Sequence, residues 1–110
     1  GTRISAAYQV VRDLLRDQYP VADWNIYVFQ FSDGDNWGED NRLCLELLEQ
    51  ELLPVCNAFC YGQVESPYGT GDYLKELQKI AENHENLILS EIANKEAVYN
   101  SMRQFLGTGK

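Results

Sequence analysis

At 110 residues the chain has room for one hydrophobic core, so it is a single domain or part of one. Nine Lys and Arg against 17 Asp and Glu give a net charge of −8, which argues against a nucleic-acid backbone or an anionic membrane surface as partner. No apolar run approaches the roughly 20 residues of a membrane-spanning helix, and no signal peptide is visible.

Three cysteines, Cys44, Cys56 and Cys60, form an odd set without CxxC spacing. An odd count fits a reducing cytoplasm, with the thiols packed as small hydrophobes. The chain opens at Gly1-Thr2-Arg3 without an initiator Met, which reads as a piece of a longer protein.

In chain order, Ile4, Ala7, Tyr8, Val11, Leu14 and Leu15 follow the spacing of an amphipathic helix, which Tyr19-Pro20 ends. The β-branched and aromatic run Ile26 to Phe31 predicts a central strand covered on both faces. Trp24, Tyr27, Phe29, Phe31 and Trp37 form an aromatic cluster around it, mostly core, with Trp37 the candidate surface anchor for a partner. Asp40 is placed to cap a second helix carrying Leu43, Cys44, Leu47, Leu48 and Leu52, which Pro54 ends. A strand over Ala58–Val64 and a Gly- and Pro-containing loop over 65–71 follow. The third helix, from Asp72 to about Asn83, buries Tyr73, Leu74, Leu77, Ile80 and Ala81, and His84 suits the exposed carbonyls at its end. Leu87 to Leu89 predicts a third strand. Asn94 then caps a last helix with Val98, Met102, Phe105 and Leu106 on one stripe, stopped by Gly107.

The order α-β-α-β-α-β-α predicts an α/β fold, a parallel sheet with helices on both faces and right-handed crossovers. Three strands make a small sheet for this architecture, and the chain opens on a helix. The missing partner strand is therefore expected upstream, which leaves the strand Ile26 to Phe31 with one unpaired flank. An open flank of this kind predicts self-association of the chain, most simply as a two-fold dimer.

Within one residue the predicted strand gives way to Ser32, Asp33, Gly34, Asp35 and Asn36. Hydroxyl, carboxylate and carboxamide oxygens are the donors that hard cations such as Mg²⁺ prefer, and ligands of open α/β sheets bind outside the carboxyl ends of strands. Asp-Gly is also common turn punctuation, so a solvated turn is the competing reading. No nucleophile–base constellation and no Gly-rich phosphate loop occur. Paired acids at a strand's end also serve phosphoryl transfer, so the alternative is a Mg-dependent phosphoryl-transfer enzyme using Asp33 and Asp35. Against it, the nearest basic residues to the loop are Arg42 and Arg3.

The phrase Trp24-Asn-Ile-Tyr-Val-Phe-Gln-Phe-Ser-Asp-Gly-Asp-Asn-Trp37, preceded by Gly1-Thr2-Arg3-Ile4-Ser5, resembles the bacterial YhbH/YeaH family, as do Leu52-Leu53-Pro54 and the final helix near Ala97 to Leu106. The resemblance spans essentially the whole chain and implies the C-terminal portion of a von Willebrand factor A-like domain over residues 1–110. Such domains hold a divalent cation through three loops. By that pattern Thr2 looks like the second-loop threonine and Asp33 like the third-loop aspartate. The first-loop Asp-x-Ser-x-Ser is absent from this sequence, so the resemblance implies weak or no cation binding by this chain and Mg²⁺ or another divalent cation in the full-length protein. Ser32, Asp35 and Asn36 stay as additional candidate donors. The implied function is a non-enzymatic, cation-dependent protein–protein interaction module in stress response or sporulation, with a serine protein kinase as the partner the resemblance suggests.

Overall fold

The computed structural model describes residues 3–20, 22–34, 36, 38–64, 72–92, 100 and 103. Helix α1 spans Ile4–Asp17. Its inward stripe is Ile4, Tyr8, Val11 and Leu15, spaced by three or four, with Tyr8 fully buried. Ala7 and Leu14, expected on that stripe, lie on the exposed side. The helix stops where the N–H groups of both Gln18 and Tyr19 converge on the Leu14 carbonyl, just before Pro20.

Strand β1 (Tyr27–Ser32), strand β2 (Ala58–Val64) and strand β3 (Leu87–Ile92) form a parallel sheet in the order β1-β2-β3. The fold is thus α/β, a three-stranded parallel sheet flanked by helices. Registers run Tyr27↔Ala58 through Ser32↔Gln63, and Phe59↔Leu87 through Val64↔Ile92. The register of the first pair is set one step earlier. Ile26 donates its N–H to Asn57 Oδ1 (2.7 Å), and the Asn57 N–H returns to the Ile26 carbonyl (2.7 Å).

The central strand is β2, not the stretch Ile26 to Phe31. Among the described residues β1 pairs with β2 alone. The aromatic cluster is corrected as well: Tyr27 is 40% exposed, Trp24 is 52% exposed and rests edge-on against Tyr19, and Phe29 and Phe31 are only half-buried. The aromatic core lies elsewhere. Tyr8, Phe59, Tyr61 and Tyr73 are fully buried and meet edge to face, with ring centroids 5.6 Å apart for Tyr8–Phe59 and for Tyr61–Tyr73.

Helix α2 (Gly38–Leu47) runs into one π-helical turn, Leu48–Leu52, and helix α3 (Asp72–Ala81) joins β2 to β3. Helix α2 starts two residues before Asp40, so Asp40 lies in its first turn and is not its cap. Leu43, expected in the core, is 40% exposed. Helices α1, α2 and α3 all cover the sheet face that carries Val28, Phe59, Tyr61, Leu87 and Leu89. The other face carries Phe29, Phe31, Ala58, Cys60 and Ile88. The expected loop over 65–71 and the last helix from Asn94 lie outside the described residues.

His84 departs from its expected role. Only its backbone N–H caps α3, on the Ala81 carbonyl, while its ring Nε2 reaches Glu49 Oε2 at 2.9 Å. All three thiols are free and buried, as the odd count suggested. Burial pushes Cys56 and Cys60 up to about 11. No helix among the described residues is long and apolar enough to cross a membrane.

Candidate functional site

Parallel strands deliver their carboxyl ends, and the loops that follow, to one side of the sheet. Ser32 closes β1 there, and the next residues are fixed by bonds from three directions. Ser32 Oγ accepts the Gly34 N–H at 3.0 Å, a tight local turn. Gln63, near the end of β2, donates Nε2 to the Asp33 carbonyl (2.5 Å) and accepts the Tyr61 hydroxyl on Oε1 (2.8 Å). The Gly34 carbonyl accepts the Tyr73 N–H in the first turn of α3 (3.4 Å). Gly34 has φ +79° and is buried against the Gln63 amide, so glycine is required twice over, for the left-handed backbone and for the close approach.

The fourth direction is α1. Arg3, at the N-cap of that helix, makes no side-chain cap, and the first turn carries no acid. Its first N–H groups are satisfied from the loop and from α2. Asn36 Oδ1 accepts the Ile4 N–H (3.3 Å), and Asp40 Oδ2 accepts the Ser5 N–H (3.0 Å). The Ser5 hydroxyl donates to Asp40 Oδ1. Asn36 donates Nδ2 to Asp40 Oδ2 (3.1 Å) and to Asn41 Oδ1 (2.9 Å), and Cys44 Sγ donates to Asp40 Oδ2 (3.3 Å). Burial acts to raise the Asp40 carboxyl, but the bonds from Ser5, Asn36 and Cys44 outweigh it and hold it below the usual carboxylate range. The same burial, with the Asp40 charge beside it, pushes Cys44 up to about 12, so that thiol is not a nucleophile.

Beneath this loop the helix-facing side of the sheet carries a buried hydrogen-bond network within the core. Tyr8 Oη donates to Gln30 Oε1 (2.6 Å) and lies 2.6 Å from Tyr73 Oη. Burial pushes the Tyr61 phenol up to about 12, with a hydrogen bond to Ser32 opposing and the Asp33 charge adding to the rise. These phenols stay protonated and serve as donors in a dry network.

Thr2, Asp35 and Trp37 lie outside the described residues. Asp33 sits at the turn with its carbonyl fixed by Gln63. Ser32 and Asn36 are committed to partners in the fold, Ser32 to the Gly34 turn and Asn36 to the start of α1. Among the described residues no group of three or more His, Cys, Asp or Glu is placed to hold a metal ion. Sequence reading passed over Gln63, Gln30 and Ser5. The available signal was two long amides in strands otherwise built from apolar and aromatic residues, an expensive choice unless each is bonded.

Residues 1–109 match the family model described as "Protein of unknown function (DUF444)". The chain is similar to a UPF0229 protein of Vibrio vulnificus, 34% identical over 104 residues, covering 94% of this chain and 24% of that protein. A UPF0229 protein of Shewanella oneidensis is 32% identical over the same length, with the same coverage. One from Thiobacillus denitrificans is 44% identical over 66 residues, covering 60% of this chain and 16% of that protein. The chain spans about a quarter of the length of the first two (24%). No solved structure matches it.

Proposed function

The chain belongs to the DUF444 family, and on that premise we propose that it is the C-terminal portion of a von Willebrand A-like domain of the YhbH/YeaH kind, a non-enzymatic and cation-dependent protein-binding module. One observation carries the reading: the start of α1 is bonded to the loop that follows β1, through the Ile4 N–H on Asn36 Oδ1. Asn36 is three residues past Asp33, and Thr2 is two residues before Ile4. The start of α1 and the loop after Asp33, some 30 residues apart in sequence, are therefore tied together at the carboxyl end of the sheet, which supports reading Asp33 and Thr2 as ligands of one cation.

The donor chemistry suits part of a hard-cation site. Asp33 supplies a carboxylate and Thr2 a hydroxyl, and the further donors come from outside this chain. A cation bound there offers an open coordination position to a carboxylate of the partner. The chain's own residues do the positioning: Gln63 holds the Asp33 carbonyl and Tyr73 the Gly34 carbonyl that follows it. The setting is the bacterial cytoplasm, in stress response or sporulation, and a serine protein kinase is the partner to try first.

Titrating Mn²⁺ or Mg²⁺ into this chain and into one extended to the length of its relatives tests the reading. The extended chain should bind, this chain should bind weakly, and Asp33→Ala should abolish binding by the extended chain. Binding that survives Asp33→Ala overturns it.

A further inference from the structure

An α-helix of this length exposes four N–H groups at its start, and a side-chain oxygen at the N-cap ordinarily satisfies one of them. Helix α1 has no such local device: Arg3 makes no side-chain cap, and no acid occupies the first turn to complement the positive end of the helix. The missing cap and the missing charge are supplied from 32 and 35 residues away, by Asn36 on the Ile4 N–H and Asp40 on the Ser5 N–H. Asp40 is buried, and both its oxygens are engaged: Oδ1 by the Ser5 hydroxyl, Oδ2 by the Ser5 N–H, by Asn36 and by Cys44. Asn36 is braced in turn by Asp40 and Asn41. This cluster therefore has no spare oxygen on Asp40 for an ion. It does have the geometry of a rigid brace between two segments.

We propose that Asp40 and Asn36 are positioning residues, a two-point brace that fixes where α1 begins relative to the loop of Asp33, the carboxylate this chain offers to the cation. The proposal rests on the cation-site reading above for its functional half. Its structural half stands on the hydrogen bonds alone. Asp40 is buried, and its bonds run to Ser5, Asn36 and Cys44 within the fold. It acts through the helix start, where it holds both the N–H and the hydroxyl of Ser5.

The test uses two variants, Asp40→Ala and Asp40→Asn, in a chain extended to the length of the relatives, with two readouts. The first is amide exchange followed by NMR. In the parent, the Ile4 and Ser5 amides should be protected. In Asp40→Ala they should exchange about tenfold faster or more, the worth of a hydrogen bond to a charged acceptor, while Phe59 and Tyr61 in the central strand stay protected. The second readout is Mn²⁺ affinity by electron paramagnetic resonance. Asp40→Ala should weaken it about tenfold or more, the same bond energy expressed as affinity. Asp40→Asn keeps an acceptor oxygen and should recover part of both effects. Ile4 and Ser5 amides that are unprotected in the parent, or unchanged in Asp40→Ala, would refute the brace. Deprotected amides with unaltered Mn²⁺ affinity would overturn its positioning role. A parent that binds no Mn²⁺ would remove the cation reading and the positioning role with it, and the exchange data would then judge the brace by themselves.

Discussion

Replacing Gly34 by alanine probes the geometry of the loop most directly. A residue with a Cβ in the left-handed region costs about 1–2 kcal/mol. The stiffer unfolded chain of alanine returns about 0.4–1 kcal/mol. The new methyl group would also meet Gln63 Oε1, with Nε2 at 2.9 Å and Cδ at 3.0 Å, so the Gln63 amide must move. That amide is not a loose end: it donates to the Asp33 carbonyl and accepts the buried Tyr61 hydroxyl, and each such bond contributes about 0.5–1.5 kcal/mol. Gly34→Ala should therefore destabilise the chain by about 1–4 kcal/mol, seen as a lower urea midpoint with an unchanged slope. If the collision with Gln63 is the main cause, Gln63→Ala in the same background should cost less than it does alone, a coupling that a double-mutant cycle reads directly. An unmoved midpoint, or strict additivity of the two substitutions, would refute the reasoning.

Phe59→Ala, in the central strand and with both neighbouring strands against it, should cost about 3–5 kcal/mol, whereas Phe29→Ala, on half-buried β1, should cost distinctly less. Urea midpoints of the two variants that fall together would contradict the strand order. The pH dependence has two limbs with opposite signs. Asp40 is held below its unfolded value of about 3.9, so its contribution is complete above that pH and is lost as the pH falls through its folded value. NMR of the Ile4 and Ser5 amides on acid titration should show the start of α1 loosening before the sheet does. Tyr61, raised to about 12 from an unfolded value of about 10, contributes fully below pH 10 and loses its contribution as the pH rises toward 12. The share of phenolate ultraviolet absorbance that belongs to the buried tyrosines should accordingly appear together with unfolding, and ionisation of all phenols near 10 in a folded chain would contradict the burial of Tyr61.

Much of the fold was legible because its signals are local. The run Ala58–Val64 is apolar along its first five residues and bounded by Asn57, which is what a strand buried on both faces requires, and β2 occupies those residues. The stripe Tyr73, Leu74, Leu77 likewise marked the buried face of α3. What was not legible depends on neighbours far away in sequence. The run Ile26 to Phe31 has the composition of a strand covered on both faces, yet burial is set by what packs over a strand, and Tyr27, Phe29 and Phe31 lie on the sheet face away from α1, α2 and α3. Asp40 before a helical stripe looks like a cap in any local window. It is indeed a capping residue, but of a helix that begins 36 residues earlier, and no window of helical length contains both ends of that bond. The loop's chemical character was plain, whereas the commitment of Asn36 to α1 could be learned only from the folded chain.

The π-helical turn Leu48–Leu52 gives the chain one residue of slack where it matters. The Leu53 N–H bonds to the Leu48 carbonyl at 2.8 Å, five residues back, so Leu48 and Leu53 both point inward although an α-helix would turn them about 140° apart. The wider turn acts as a phase adjuster between two periodicities, the helix before it and the strand after it. It lets α2 arrive with Cys44, Leu47 and Leu48 buried and still presents Asn57 opposite Ile26, the exchange that starts the β1–β2 ladder. Were the same residues wound as regular α-helix, everything downstream would instead be rotated by about 100°. The strand would then enter the sheet on the wrong beat, with Phe59 and Tyr61 carried to the face that Cys60 now occupies. A segment that looks like an imperfection in the helix is thus the timing element of the sheet.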